Sequence, residues 1–98
     1  DDTLAKVRDS WLFARQVDFA ELTLTPVTHE NAARMHALAE RTLHFSPEPR
    51  VIVKLIESAE LSGHEDEARL IAERFRVAYP GAYAHWLRHN PGDRAPAP

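Results

Sequence analysis

The feature of this sequence that most limits its fold is a self-similarity. The run Ala39-Glu40-Arg41 returns as Ala72-Glu73-Arg74, 33 positions later, and at the same offset Leu38 is matched by Ile71 and Pro47 by Pro80. Two segments thus share an apolar pattern, a charged pair and a proline terminator. A period of this length suits a helix–turn–helix unit, which cannot bury its apolar face alone and must stack on a neighbour. β architectures fit poorly. The β-branched residues never alternate with polar ones over a strand length, and three Gly with seven Pro supply few turns.

Apolar spacing then predicts four helices and a shorter fifth, an all-α domain over residues 1–90. The first runs from about Thr3 to Glu21, with Leu4, Val7, Trp11, Ala14 and Val17 on one stripe and Phe13 and Phe19 off it. Leu22 to Val27, with Pro26, reads as a connector. The second begins after Thr28, a good N-cap, with Glu30 in its first turn, where the helix dipole favours negative charge. Its face is Ala32, Met35, Leu38, Ala39 and Thr42, and it ends near Ser46. The third spans Pro47 to Ser62, capped by Ser46, with both prolines in a first turn that needs no N–H from them. Val51, Ile52, Leu55, Ile56 and Ala59 form its buried face, and Gly63 is its left-handed stop. The fourth, Glu65 to Tyr79, is the cleanest, with Ala68, Ile71, Ala72, Phe75, Ala78 and Tyr79 at i, i+3, i+4, i+7 spacing. Pro80-Gly81 ends it, and Tyr83, Trp86 and Leu87 mark a short final helix. The Pro- and Ala-rich tail, residues 91–98, is expected to be disordered.

The segment Pro49 to Ala82 resembles a tetratricopeptide repeat, whose period is roughly 34 residues. Gly63 falls on the interhelical turn, Ala68 on the small position where two helices approach closely, Leu55 on a core position and Pro80 on the terminal proline. The segment departs from that pattern at Ile56 and Phe75, where small residues are usual. The fold expectation is therefore tetratricopeptide-like antiparallel helical hairpins.

Charge narrows the partners. A net charge of −3 with no Lys/Arg stripe argues against nucleic acid. No apolar run reaches the roughly 20 residues of a membrane helix, and cysteine is absent. The chain opens on Asp1-Asp2 and its only methionine is Met35, so the expectation is a fragment of a longer protein.

Candidate chemistry is sparse. His36, Glu40 and His44 lie one helical turn apart, as do His85 and His89, but a zinc site needs three or four converging donors, and these residues read as solvated polar faces. No metal or cofactor is expected. No GxSxG elbow or phosphate-cradling loop is present, and Glu57, Glu60, Glu65, Asp66 and Glu67 read as a solvated turn rather than paired catalytic acids. No catalytic residue is assigned. In the tetratricopeptide family the inner, partner-binding surface comes from the first helix of each hairpin. That resemblance maps it here to Arg50, Val53, Glu57, Glu60 and Leu61, with Glu73 on the outer face. Glu57 and Glu60 would repel a carboxylate terminus, which leaves a basic or apolar partner.

The run Asp18 to Pro80 carries a second resemblance. Phe19-Ala20-Glu21-Leu22, Thr25-Pro26-Val27-Thr28-His29-Glu30-Asn31-Ala32-Ala33, Ala39-Glu40-Arg41, Phe45-Ser46-Pro47-Glu48-Pro49-Arg50-Val51 and Gly63 to Ala68 resemble the C-terminal domain of the membrane-bound polymerase and O-oligosaccharyltransferase family of Gram-negative bacteria. That family includes pilin glycosylases and relatives of O-antigen ligase and polymerase. The resemblance implies a multi-span membrane enzyme upstream that moves a glycan from a polyprenyl-pyrophosphate carrier to a protein, with its catalytic residues outside this chain. It also implies a soluble, non-catalytic domain on the periplasmic face of the inner membrane, contacting an acceptor protein, the parent enzyme's membrane domain or a second copy. The competing expectation is a free-standing tetratricopeptide-type adaptor for another protein.

Overall fold

A computed structural model describes residues 2–89, all but a few joining residues in five helices: α1 (Asp2–Leu24), α2 (Ala32–Leu43), α3 (Pro49–Leu61), α4 (Glu65–Ala78) and α5 (Pro80–His89). No strand occurs among the described residues, and the all-α expectation holds. The tail expected over residues 91–98 lies outside them. The central element is α3, which packs against each of the other four helices.

The first helix runs on to Leu24 and the second stops at Leu43, short of the expected Ser46, and three further boundaries differ from the sequence expectation for local reasons. Thr28, the expected N-cap, does not cap the helix; it forms a reciprocal pair with Asn31, which is the N-cap and makes no side-chain cap bond. The Thr28 N–H donates to Asn31 Oδ1 at 2.8 Å and the Asn31 N–H donates to Thr28 Oγ1 at 3.2 Å. This pair closes a turn over residues 29–31, and the helix proper starts one turn later, with Asn31 as its N-cap. The third helix starts at Pro49 rather than Pro47. Glu48, not Ser46, is its N-cap, with φ −123° and ψ 161°, the extended geometry that a residue before proline prefers. Between α4 and α5 only Tyr79 leaves helical geometry, so Pro80 opens the fifth helix as well as ending the fourth. Its missing N–H costs nothing at a first helical position.

Gly63 behaves as expected. It holds φ +89°, and the His64 N–H reaches back to the Ala59 carbonyl at 2.8 Å while the Gly63 N–H reaches that of Glu60 at 3.5 Å. These two bonds are the Schellman pattern, which satisfies carbonyls the helix end would otherwise leave open.

Two buried clusters share α3. Leu22, Met35, Leu38, Ala39, Val51 and Leu55 join α1, α2 and α3, and Ile56, Ala59, Ala68, Phe75 and Trp86 join α3, α4 and α5, with Ile71 touching both. Ala59 and Ala68 are 0% and 2% exposed, the small pair that lets α3 and α4 approach closely. Ile56 and Phe75, the two departures from the repeat pattern, are both buried. Phe75 extends its cluster through rings of Tyr83 at 5.8 Å and Trp86 at 6.1 Å. Ala78 and Tyr79, expected on the buried face of α4, are exposed, because the chain turns there into α5.

The helix α1 departs most from its expected role. Its stripe of Leu4, Trp11, Ala14 and Val17 is exposed; the Val7 side chain lies outside the described residues. What anchors α1 is its last turns, of which the sequence reading assigned the final residues, from Leu22 on, to a connector. Leu22 is 0% exposed and Phe19 packs beside it. Arg41 Nε and Nη2 donate to Asp18 at 3.0 and 3.3 Å, and Arg34 pairs with Glu21. The Asp18 carboxylate, by accepting these bonds, pushes the Arg41 guanidinium further above its ordinary range. Lys54 Nζ donates to the Thr25 carbonyl at 2.9 Å and ties α3 to the end of α1.

One polar residue also departs from the solvated face assigned to it. The His36 side chain is only 12% exposed and stands between Glu40 on its own helix and Glu67 on α4. His44 remains exposed, edge-on to Phe45.

Candidate functional site

The face of α3 that the repeat pattern assigned to a partner is divided by the structure. Arg50 is exposed at the start of the helix, where Nε donates to Glu48 Oε1 at 3.0 Å and the guanidinium lies 5.1 Å from the Phe19 ring. It therefore belongs with α1. Ten residues further on, about 15 Å along the axis, Glu60 and Leu61 occupy the other end. Between them α5 covers the helix. Val53 packs into the second buried cluster beside Trp86, and Trp86 Nε1 donates to Glu57 Oε2 at 3.4 Å.

The end that α5 leaves open is a groove of about 690 Å³, lined by Glu60 and Leu61 of α3, Glu65, Ala68, Arg69, Ala72 and Glu73 of α4, Tyr83 and Trp86 of α5, and His29 from the turn before α2. Local sequence explains its shape. Ala68 and Ala72, four apart on α4, make a floor without bulk, and Tyr83 and Trp86, three apart on α5, make an aromatic wall. Glu73 is thus a groove residue rather than an outer-face one. Sequence reasoning missed Tyr83 and Trp86 as groove residues because it read them only as marks of a short final helix, and Ala72 because it read it as part of the apolar face of α4. The aromatic i, i+3 pair after a proline signals a short helix with an apolar face, but not the side on which that helix folds.

Electrostatically the groove is acidic. Glu60, Glu65 and Glu73 face one guanidinium, Arg69, which pairs with Asp66. Arg76, hydrogen-bonded to Glu73, holds that carboxyl below its usual range, and Glu73 in turn raises Arg76. The groove's ionisable and hydroxyl-bearing side chains are those of Glu60, Glu65, Glu73, Arg69, His29 and Tyr83. The groove presents carboxylates and the half-buried Tyr83 ring, with Trp86 buried behind it.

Residues 1–91 match the family model described as virulence factor membrane-bound polymerase, C-terminal. The chain belongs to that family. No curated protein and no solved structure matches it. The resemblance read from the Thr25–Ala33 and Phe45–Val51 phrases is therefore borne out at the level of the polymerase C-terminal domain. The family assignment favours a region of a membrane-bound parent over a free-standing adaptor. No helix among the described residues is long and apolar enough to cross a membrane, so this C-terminal domain of the membrane-bound polymerase family contains no spanning helix there.

Proposed function

We propose that this domain is a periplasmic accessory region of a membrane-bound O-oligosaccharyltransferase or polymerase, and that it holds an acceptor protein rather than performing chemistry. The observation that carries this reading is the groove between α3, α4 and α5, with Glu60, Glu65 and Glu73 set around Tyr83 and Trp86. Such a surface suits an extended segment bearing Lys or Arg beside apolar residues. It disfavours an anionic glycan–pyrophosphate carrier, which three carboxylates would repel. The stacking of helical hairpins, in the manner of tetratricopeptide arrays, supplies the rigidity such a surface needs.

The test is glycosylation of an acceptor in cells lacking the native enzyme, complemented with full-length variants at matched expression. Glu60→Lys and Glu73→Lys together are expected to reduce acceptor modification at least several-fold, whereas Asp9→Lys on the exposed first half of α1 leaves it unchanged. Glu57 is the less informative target, because its carboxylate also receives Trp86 Nε1. Full activity of an enzyme lacking residues 1–98 would overturn the reading and leave the domain an assembly element.

A further inference from the structure

We infer that His36 and Glu67, with His64 beside them and Glu40 behind His36, form a binding site for a first-row divalent transition-metal ion of the Zn²⁺ or Co²⁺ class. The site lies on the side of α4 where its first turn meets α2.

The sequence places the donors in two short pairs, His36-x3-Glu40 on α2 and His64-x2-Glu67 where α4 begins. Residues three or four apart share a helix face, so each pair presents an imidazole and a carboxylate together. Folding brings the pairs into contact. His36 Nε2 lies 3.2 Å from both carboxylate oxygens of Glu67, and Nδ1 lies 3.3 Å from Glu40 Oε1. The His64 ring stacks on that of His36, with centroids 4.8 Å apart and planes 13° from parallel. One donor atom from each of His36, Glu40 and Glu67 falls within 4.8 Å of the others.

These separations suit a metal. Zinc sits at about 2.0–2.1 Å from a His nitrogen and about 2.0–2.2 Å from a carboxylate oxygen, so two ligands at angles between 90° and tetrahedral stand roughly 2.9–3.4 Å apart. The distance from Nε2 to each Glu67 oxygen is 3.2 Å, inside that span. An ion can therefore enter between them with little movement of either side chain.

Each remaining residue has a defined part. With Nδ1–H donating to Glu40, the imidazole keeps the tautomer whose Nε2 lone pair faces Glu67, which is the carboxylate–histidine–metal arrangement. Glu40 is thus a positioning residue. His64 is exposed, and its ring would have to leave the stack on His36 to become a third ligand, with a water in the fourth place. A surface pocket of about 380 Å³ is lined by Gly63, His64, Glu65, Asp66 and Glu67, two of which belong to the cluster. The dipole at the start of α4 opposes a cation, but Glu65 and Asp66 in the first turn offset it. The His36 side chain is 12% exposed and that of Glu40 57%, so the site is sheltered on one side and open on the other.

The tag-free 98-residue chain, stripped with EDTA, is titrated with Co²⁺ and followed by its visible d–d absorption, then with Zn²⁺ and followed by thermal unfolding. Co²⁺ is expected to develop absorption bands of a low-coordinate N/O site. Zn²⁺ at roughly tenfold excess over its Kd is expected to raise Tm by about 4–8 °C, and EDTA to reverse the rise. Glu67→Gln and His64→Ala should each weaken Co²⁺ binding more than tenfold, and Glu40→Gln by about 10–100-fold with altered bands.

His85 and His89 on α5, with ring centroids 4.3 Å apart, are the competing imidazole pair, so His89→Gln serves as the control and should leave binding intact. Loss of binding in His89→Gln but not in Glu67→Gln would overturn the assignment. So would the absence of both signals at about 1 mM metal, a level at which even a weak site would shift the unfolding equilibrium. Glu67→Gln keeps the side chain's size, so its result does not depend on the fate of a truncated His36.

Discussion

In the first half of α1, Leu4, Trp11 and Phe13 stand 72%, 59% and 68% exposed, whereas Val51, Ile56 and Phe75 of α3 and α4 are 0%, 1% and 2% exposed. Both regions carry large apolar residues at helical spacing. The difference lies in what stands beside them. The 23 residues of α1 extend about 34 Å, while the 12 of α2 cover about 18 Å. Only the last turns of α1 find α2 and α3 to lie against, so Leu22 and Phe19 are packed while Leu4, Trp11 and Phe13 are not. Periodicity marks a face that can be buried; burial also needs a neighbour of matching length. On the opposite side of α1, Phe13, Val17, Ala20 and Leu24 form a second seam at i, i+4, i+7 and i+11, and it too is exposed.

The sharpest test of this contrast is a pair of identical truncations. Phe75→Ala removes a ring packed against Tyr83 and Trp86 and is expected to cost about 3–5 kcal/mol. Phe13→Ala should stay within about 0.5 kcal/mol. Urea unfolding of both variants measures the difference, and equal losses would show that α1 is covered in solution after all.

A second pair adds volume instead of removing it. Ala68→Leu, at the close approach of α3 and α4, should destabilise by about 1–3 kcal/mol through overpacking. Ala14→Leu, on the open face of α1, should change stability by less than about 0.5 kcal/mol. A tolerated Ala68→Leu would break the hairpin geometry on which the comparison rests.

The turn that makes the α3–α4 hairpin can be probed without touching packing. A Cβ at Gly63 would meet nothing within 4 Å, so its substitution reports only the cost of φ +89°. Gly63→Val should lose about 1–2 kcal/mol and Gly63→Asn less, since Asn tolerates the left-handed region. Thermal melts that coincide for the two variants would remove Gly63 as the reason the hairpin turns where it does.

The smallest expected difference lies between two buried hydroxyls in the packed half. Ser58 Oγ donates to the carbonyls of Lys54 at 2.7 Å and Leu55 at 3.1 Å, so Ser58→Ala should cost about 0.5–1.5 kcal/mol. Thr42 Oγ1 is buried with no hydrogen-bond partner, so Thr42→Val should be neutral or stabilise by up to about 1 kcal/mol. Denaturant midpoints resolve the two. A loss in Thr42→Val equal to that in Ser58→Ala would reveal a bond from Thr42 in solution.

Most of the fold was legible in the chain, and the candidate site only in part. Met35, Leu38, Val51, Ile56, Ala68 and Phe75 were readable as core because each lies on an unbroken 3.6-residue stripe. Glu60 and Leu61 were readable as surface of the first helix of a hairpin. Tyr83 and Trp86 were not readable as the groove's wall, because a fifth helix after Pro80 carries no signal of the side on which it will fold. Ala68 and Ala72 were readable as packing residues but not as a floor, since the same small side chain serves both.

The sequence by itself determined the helices, their left-handed stop at Gly63 and the family to which the chain belongs, because periodicity, φ preference and motif are local properties of consecutive residues. Only the tertiary structure decided which apolar stripe is covered. It also decided that α5 closes over Val53 and Glu57, and that His36 meets Glu67 from 31 residues away. Those outcomes depend on helix lengths, on the close approach that Ala59 and Ala68 permit and on the side to which a turn sends the next helix. Each is set by the packing of several elements at once, and none is encoded in any one of them.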